Sequence, residues 1–195
     1  MLARARLLAL AAAVSAPVVL GTPAFAAECR GVQFPDAAKA GEADLVLNGL
    51  GLRKATFLKV KVYVAGLYVP QKQSDAGQIL GVDQAWRLAL RFLRDVDGAD
   101  IHDAFTEGFD KSTGGKAEAL KPRIDAVNAF VPDFMEGDRM DFTHASGQGV
   151  ALAVNDAPKG QVEGADFAAA MLGIWLGPEP PNDELKAGLL GGDCE

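Results

Sequence analysis

The stretch NGLGLRKATFLKVKVYVAGLYV, from Asn48 to Val69, decides the fold of this chain. It opens with two closely spaced glycines, passes through Arg53 and ends in a run rich in valine and tyrosine. Such a run is typical of a β-strand, and the glycines before it predict a tight turn. We therefore expect a short strand over 45–47, a turn that presents Arg53, and a long strand over 56–69, continuous or divided by a bulge near Gly66.

The glycine segment does not have the spacing of a nucleotide-binding loop. A dinucleotide fingerprint needs a third glycine where Lys54 stands, followed by a helix, whereas here a strand follows. A Walker A motif is excluded as well, because Asp110 occupies the place of the first glycine before Gly115 and Lys116. These glycines therefore have another role.

Alternation along the long strand separates two faces of different character. One face, which begins cationic and becomes apolar, carries Lys59, Lys61, Tyr63, Ala65 and Leu67; the other, apolar and predicted to be core, carries Leu58, Val60, Val62, Val64 and Tyr68.

The cationic-to-apolar gradient suits the mouth of a cleft that takes an amphipathic acid. Arg53 is then the natural bidentate partner of a carboxylate, and Tyr63 adds a hydroxyl donor. The alternative is a solvent-facing lysine edge, with Arg53 paired to an acid such as Asp44. Periodicity alone leaves both interpretations open.

The rest of the chain predicts an order of elements that favours an antiparallel sheet. Connections between adjacent strands are often too short for a βαβ crossover, so we expect an α+β fold with helices on one face of the sheet. The expected elements are a helix over 74–80 capped by Ser74, a strand over 86–93, helices over 99–111 and 117–130 (the latter kinked or divided at Pro122), a hairpin of strands 139–144 and 149–154, a turn at 158–160, and helices over 165–176 and 182–190.

Residues 1–26 have the pattern of a secretory signal peptide. Arg4 and Arg6 form a basic region, the apolar run over 7–20 is short for a membrane span, and Ala24-Phe25-Ala26 fits a cleavage site. We expect cleavage near Ala26, a periplasmic or secreted protein, one domain over 27–195 and no membrane span in the mature chain. Glu28 stands before Cys29 where a lipoprotein signal needs a small residue, so we favour a soluble protein over a lipid-anchored one.

The charge balance is acidic, with a formal net charge of −7 for the whole chain. The signal segment holds two of the 19 basic residues and none of the 26 acidic ones, so the mature chain is more acidic still. Such a balance argues against nucleic acid or an anionic membrane surface as the main partner. It leaves room for a small anion held by one local arginine.

Few residues have the arrangement of a catalytic or metal site. The two histidines, His102 and His144, share no metal-ligand spacing with each other or with the cysteines. Ser146 does not lie in a nucleophile elbow. We therefore expect no metal and no cofactor.

Cys29 and Cys194, at the two ends of the mature chain, either pair in an oxidising compartment or remain free thiols.

The stretch over 48–69 resembles the hallmark segment of the chalcone isomerase family, and most of all that of the exported bacterial chalcone-isomerase-like members. The residues that carry the resemblance are GLGLRK at 49–54 and VYVAGLYV at 62–69, with LRFLRDV at 90–96 and GIWLG at 173–177. Nearly the whole mature chain is covered. The resemblance implies an open-faced β-sandwich, in which a long antiparallel sheet and a helical layer enclose a ligand cleft.

The resemblance also implies roles for individual residues. Arg53 matches the arginine that guides cyclisation of a chalcone in the plant enzymes. Tyr63 stands where those enzymes have a threonine and where the non-catalytic, fatty-acid-binding relatives have a tyrosine. The further catalytic tyrosine of the plant enzymes is missing: Ile101 falls near its place, and the chain has no tyrosine beyond Tyr68. His102, the next residue, is a candidate substitute donor, and we do not expect it to act as one.

Two functions follow from this resemblance, and a protein-interaction role with an empty or vestigial cleft is a third hypothesis. The first is a non-catalytic protein that binds a fatty acid, a similar amphipathic acid or another small hydrophobic molecule, with Arg53 and Tyr63 on the carboxylate. The alternative is an isomerase, an intramolecular lyase acting on a chalcone-like unsaturated ketone, in which Arg53 is catalytic and stabilises the developing oxyanion.

Overall fold

The computed structural model of the protein describes residues 25–55 and 58–195. The predicted signal peptide over 1–26 falls almost entirely outside these residues, as do the first two residues of the strand predicted over 56–69. Within the described ranges, no helix is long and apolar enough to cross a membrane.

Seven strands form one antiparallel sheet in which every strand pairs with its neighbours in sequence order. A separate two-stranded hairpin precedes it. The hairpin consists of β1 (Phe25–Cys29) and β2 (Val32–Pro35); the sheet consists of β3 (Ala37–Ala40), β4 (Ala43–Ala55), β5 (Val60–Val69), β6 (Trp86–Phe92), β7 (Arg139–His144), β8 (Val150–Val154) and β9 (Ala157–Val162).

Helices pack against one face of this sheet and enclose the larger apolar cluster. They are α1 (Ala76–Leu80), α2 (Gly98–Ser112), a 3₁₀ turn (Ala117–Leu120) that runs into α3 (Lys121–Asn128), α4 (Ala165–Leu176) and α5 (Asp183–Leu189). Leu67 and Phe142 of the sheet meet Phe109 and Trp175 of the helices in this cluster. The predicted α+β architecture, with a long antiparallel sheet and a helical layer, is confirmed.

The opposite face of the sheet is covered as well, by a smaller cluster centred on the β1–β2 hairpin. Phe34 of β2 is fully buried there against Leu52, Val64 and Tyr68 of the sheet. The Tyr68 hydroxyl donates a hydrogen bond of 3.0 Å to the Pro35 carbonyl. Tyr68 is therefore a core residue, as its strand face predicts.

The predicted glycine turn does not exist, because β4 runs without a break through Gly49 and Gly51. Helix α5 lies directly on this part of the strand. A Cβ atom at Gly51 would lie 2.2 Å from the Leu185 carbonyl oxygen, and one at Gly49 would lie 2.2 Å from that of Gly188. The glycines are needed for close approach of the helix backbone, a use of glycine that needs no left-handed conformation.

A β-bulge near the start of β5 overturns the predicted division of its faces. Arg53 pairs with Tyr63, but Lys54 pairs with Lys61, so Val62 is an extra residue in the ladder. Such an insertion moves the residues before it to the other face. Val62 consequently joins Tyr63 on the helix-facing side, and Lys61 lies away from it. The predicted cationic-to-apolar gradient is wrong, and the bulge lies at Val62 rather than near Gly66.

Smaller differences arise at turns and helix ends. The predicted turn at 158–160 lies inside β9, and the chain reverses instead at Asn155 and Asp156, whose φ angles are 51° and 63°. Asn and Asp tolerate this left-handed conformation, which a tight hairpin requires. Asp75 rather than Ser74 caps α1. Pro122 divides the predicted helix over 117–130, because it lies in the first turn of α3.

Candidate functional site

A cavity of about 700 Å³ lies between the sheet and helices α2 and α4. This volume is within the range of pockets that enclose small organic ligands. The ends of β4 and β5 form one wall, the β6–α2 connection and α2 form the opposite wall, and the segment after α4 borders the mouth.

The inner walls of the cavity are apolar and at least half-buried, whereas the rim is charged and mostly exposed. The buried residues of the inner walls are Leu90, Ile101, Phe105, Met140 and Ile174, and the half-buried ones are Val60 and Val62. The residues of the rim include Arg94, Asp95, Asp97, Asp100, Glu107 and Glu179, which are exposed, and the half-buried Lys111. This distribution suits a molecule that has an apolar body and a polar group.

Arg53 and Tyr63 lie side by side in this cavity, as the sequence predicts. They are directly opposite each other on the neighbouring strands β4 and β5, and both line the cavity. Side chains in such cross-strand pairs are close enough to act on the same group. The pair therefore exists, although a bulged strand and not a glycine turn brings it together.

The Arg53 guanidinium is bound only to main-chain oxygens in the part of the chain that the structure describes. Its Nη1 atom donates hydrogen bonds to the carbonyls of Lys54 and, at 3.0 Å, Pro181. No carboxylate in the described ranges lies within ion-pair distance of it. The predicted alternative partner, Asp44, pairs instead with Lys39 at 2.6 Å.

Glu107 on α2 is a carboxyl group whose pKa responds to the charge of Arg53. A hydrogen bond from Lys111, 2.5 Å away, is the main reason that the pKa of Glu107 lies below its ordinary value, and the charge of Arg53 adds a smaller contribution. Glu107 is thus neutralised mainly by Lys111. The positive charge of Arg53 remains available to a ligand.

Tyr63 is buried, with 8% of its surface exposed. Burial raises the pKa of its hydroxyl, against the smaller opposing effects of a hydrogen bond from Trp175 and the charge of Arg53. The hydroxyl is therefore protonated at neutral pH. It accepts a hydrogen bond of 2.9 Å from the Trp175 indole nitrogen.

Trp175 is the site residue that the sequence did not single out. It belongs to the strongly apolar helix α4, where an aromatic residue is expected to be core, and it is indeed 1% exposed. Its indole N–H nevertheless points at Tyr63, and its ring contributes to the cavity wall. Only its place in the segment over 173–177 connected it with the family pattern.

The position of the missing plant tyrosine lies in the cavity and is apolar. Ile101 is buried and lines the wall. His102 is absent from the cavity lining, and its Nε2 atom is 3.4 Å from the Val131 carbonyl oxygen. His144, the other histidine, is buried elsewhere, with Nε2 2.8 Å from Asp83. Neither histidine takes the place of the tyrosine.

The structure joins Cys29 and Cys194 in a disulfide, with a Cα–Cα separation of 6.0 Å. The sequence left a disulfide and two free thiols as alternatives, and the structure contains the disulfide. Neither cysteine lines the cavity. Among the described residues there is also no group of three or more His, Cys, Asp or Glu side chains placed to hold a metal ion.

Comparisons with known proteins agree with the resemblance seen in the sequence. The family model described as chalcone isomerase-like matches residues 26–191. No curated protein matches the chain. Among solved structures, the crystal structure of a fatty-acid binding protein of Arabidopsis thaliana superposes with a TM-score of 0.64 at 17% identity, covering 82% of this chain and 92% of that one. At this identity the likeness concerns the fold, whereas the family model covers most of the sequence: the chain belongs to the chalcone isomerase-like family.

Proposed function

We propose that this protein binds a fatty acid or a similar amphipathic carboxylate without transforming it. The observation that carries the proposal is the pairing of Arg53 with Tyr63 at the wall of an apolar cavity. A guanidinium that has no carboxylate partner among the described residues and a protonated hydroxyl stand together there, and a carboxylate accepts hydrogen bonds from both.

Arg53 has donors left for a carboxylate. Its Nη1 atom is bound to the carbonyl oxygens of Lys54 and Pro181, whereas its Nε and Nη2 atoms donate to no described residue. A hydrogen bond that involves a charged group contributes about 1.5–3 kcal/mol. The apolar body of the ligand adds hydrophobic burial along α2 and the sheet.

The residue at the place of the plant tyrosine supports binding without reaction. The plant enzymes use a further tyrosine for cyclisation, and Ile101, which falls near its place and lines the cavity, has no group that positions or moves protons. Tyr63 has a raised pKa, so its hydroxyl keeps its proton and does not readily form a phenolate. The name of the Arabidopsis protein that shares the fold is consistent with binding.

Native mass spectrometry of protein purified without detergent from its own host tests this function. We expect one small acid per chain, released when the protein is unfolded. A parallel assay follows the absorbance of a chalcone. Turnover well above the spontaneous rate, lost when Arg53 is replaced by alanine, would replace the binding function with the isomerase alternative.

We also propose that the protein is exported. The pattern of residues 1–26 supports this location, and the paired cysteines are typical of oxidising compartments. The mass of the protein recovered from the periplasm or medium tests it: a chain that begins near Ala27 is expected, and an uncleaved cytoplasmic chain would contradict it.

A further inference from the structure

We propose that Trp175 is a positioning residue of this site. Its indole N–H donates to the Tyr63 oxygen, so that the hydroxyl proton of Tyr63 points towards the ligand. Because the hydroxyl and Arg53 then both act as donors, Trp175 restricts this wall of the cavity to ligand groups that accept hydrogen bonds. The inference rests on the proposed function and adds to it a determinant of ligand class.

The direction of the hydrogen bond between Trp175 and Tyr63 is fixed by chemistry. An indole carries one N–H donor and no acceptor, so the 2.9 Å contact requires the tyrosine oxygen to accept. A phenol hydroxyl has a single proton, which must point elsewhere. In the described part of the chain no other group is hydrogen-bonded to this hydroxyl, and Tyr63 lines the cavity.

The indole is held in place from several sides, so it does not swing away from Tyr63. Trp175 lies in the last turn of α4 and is 1% exposed. Its ring packs against Phe105, with 6.2 Å between the ring centroids, and against Phe142, with 5.8 Å. A buried donor without a partner is costly, and the contact with Tyr63 satisfies the indole N–H.

The consequence is a preference between ligands of equal length and different head group. A carboxylate accepts from Tyr63 and Arg53 together. An alcohol accepts weakly and brings a proton of its own, and an ammonium offers no acceptor and is repelled by Arg53. A site with buried hydrogen-bond donors discriminates strongly against a ligand that leaves these donors without an acceptor.

A double-mutant cycle of Trp175→Phe and Tyr63→Phe tests the inference, with dodecanoate and dodecanol as probes in calorimetry. In Trp175→Phe we expect the affinity for the acid to fall about three- to tenfold, the effect of losing one oriented hydrogen bond. The affinity for the alcohol is expected to change less than about twofold. In the Tyr63→Phe background, Trp175→Phe should no longer affect acid binding, since its effect acts through that hydroxyl.

The outcomes separate this inference from the proposed function. Failure of the native protein to bind any acid refutes the function and the inference with it. Acid binding in which both probes weaken equally, or in which the two substitutions act additively, leaves the function intact and refutes the role of Trp175. For a Trp175→Phe variant that does not fold, NMR of Tyr63→Phe decides, because the chain has only two tryptophans. The Trp175 indole proton should shift upfield, and an unchanged resonance refutes the inference.

Discussion

Replacement of Gly51 by alanine is expected to loosen helix α5 from the sheet. The new Cβ atom would lie 2.2 Å from the Leu185 carbonyl oxygen and 2.8 Å from Leu185 Cδ1. Ordinary carbon–oxygen contacts are longer than about 3.3 Å, so the helix must move by about 1 Å. The obstacle is backbone, which cannot rotate away as a side chain does.

The cost follows from what α5 buries. Overpacking of this kind costs about 1–3 kcal/mol, and a shifted helix also loses part of the packing of Leu185 and Leu189, both fully buried. We expect the free energy of unfolding to fall by about 2–4 kcal/mol and the melting temperature by roughly 5–15 °C. Equilibrium unfolding in urea measures the first quantity and calorimetry the second.

A matched glycine substitution provides the control. Gly77 lies inside α1, and the nearest atom to an added Cβ would be Asp75 Oδ1 at 3.1 Å, at the end of a side chain and not in the backbone. Alanine also favours a helix over glycine. Gly77→Ala should therefore change stability by less than about 1 kcal/mol. A Gly51→Ala protein as stable as Gly77→Ala would refute the explanation of the glycines by close helix packing.

Two further predictions concern the tyrosines and the disulfide. Burial raises the pKa of both tyrosines, that of Tyr68 to about 12, so an absorbance titration of the native protein should show no ionisation near pH 10. Because the unfolded chain releases these protons at lower pH than the folded one, stability should fall as pH rises above 10; a native ionisation step near pH 10 would refute this. The disulfide between Cys29 and Cys194 closes a loop with a sequence separation of 165, which is worth about 5 kcal/mol in the chain-entropy treatment. Reduction should lower the unfolding free energy by up to that amount while leaving ligand binding in place, and free thiols in the native, unreduced protein would contradict the pairing.

Much of the architecture is predictable from sequence because it rests on local patterns. The strand over 86–92 and the helix over 165–176 are strongly apolar and end at clear signals such as Gly177 and Pro178. The turn predicted at the glycines of β4 is wrong, because a glycine needed for close packing cannot be distinguished in sequence from one needed for a turn. The helix that requires them begins more than 130 residues later.

The candidate site, too, could be predicted from the sequence only in part. Arg53 and Tyr63 were predicted together and lie together. The bulge at Val62 could not be predicted, because strand alternation carries no signal for one extra residue, and it places Lys61 away from the cavity. The role of Trp175 depends on a contact across 112 residues of sequence. Such contacts are properties of tertiary structure.

The central claim is that Arg53 anchors a carboxylate, and calorimetric titration with dodecanoate tests it most directly. Arg53→Ala removes the charge beside Tyr63. Arg94→Ala removes the same charge from the exposed rim of the same cavity and is the matched control. Loss of a charge-assisted hydrogen bond worth about 1.5–3 kcal/mol predicts at least about a tenfold weaker affinity for Arg53→Ala, with Arg94→Ala within about threefold of the native protein. Equal affinity of the native protein and Arg53→Ala would contradict the claim.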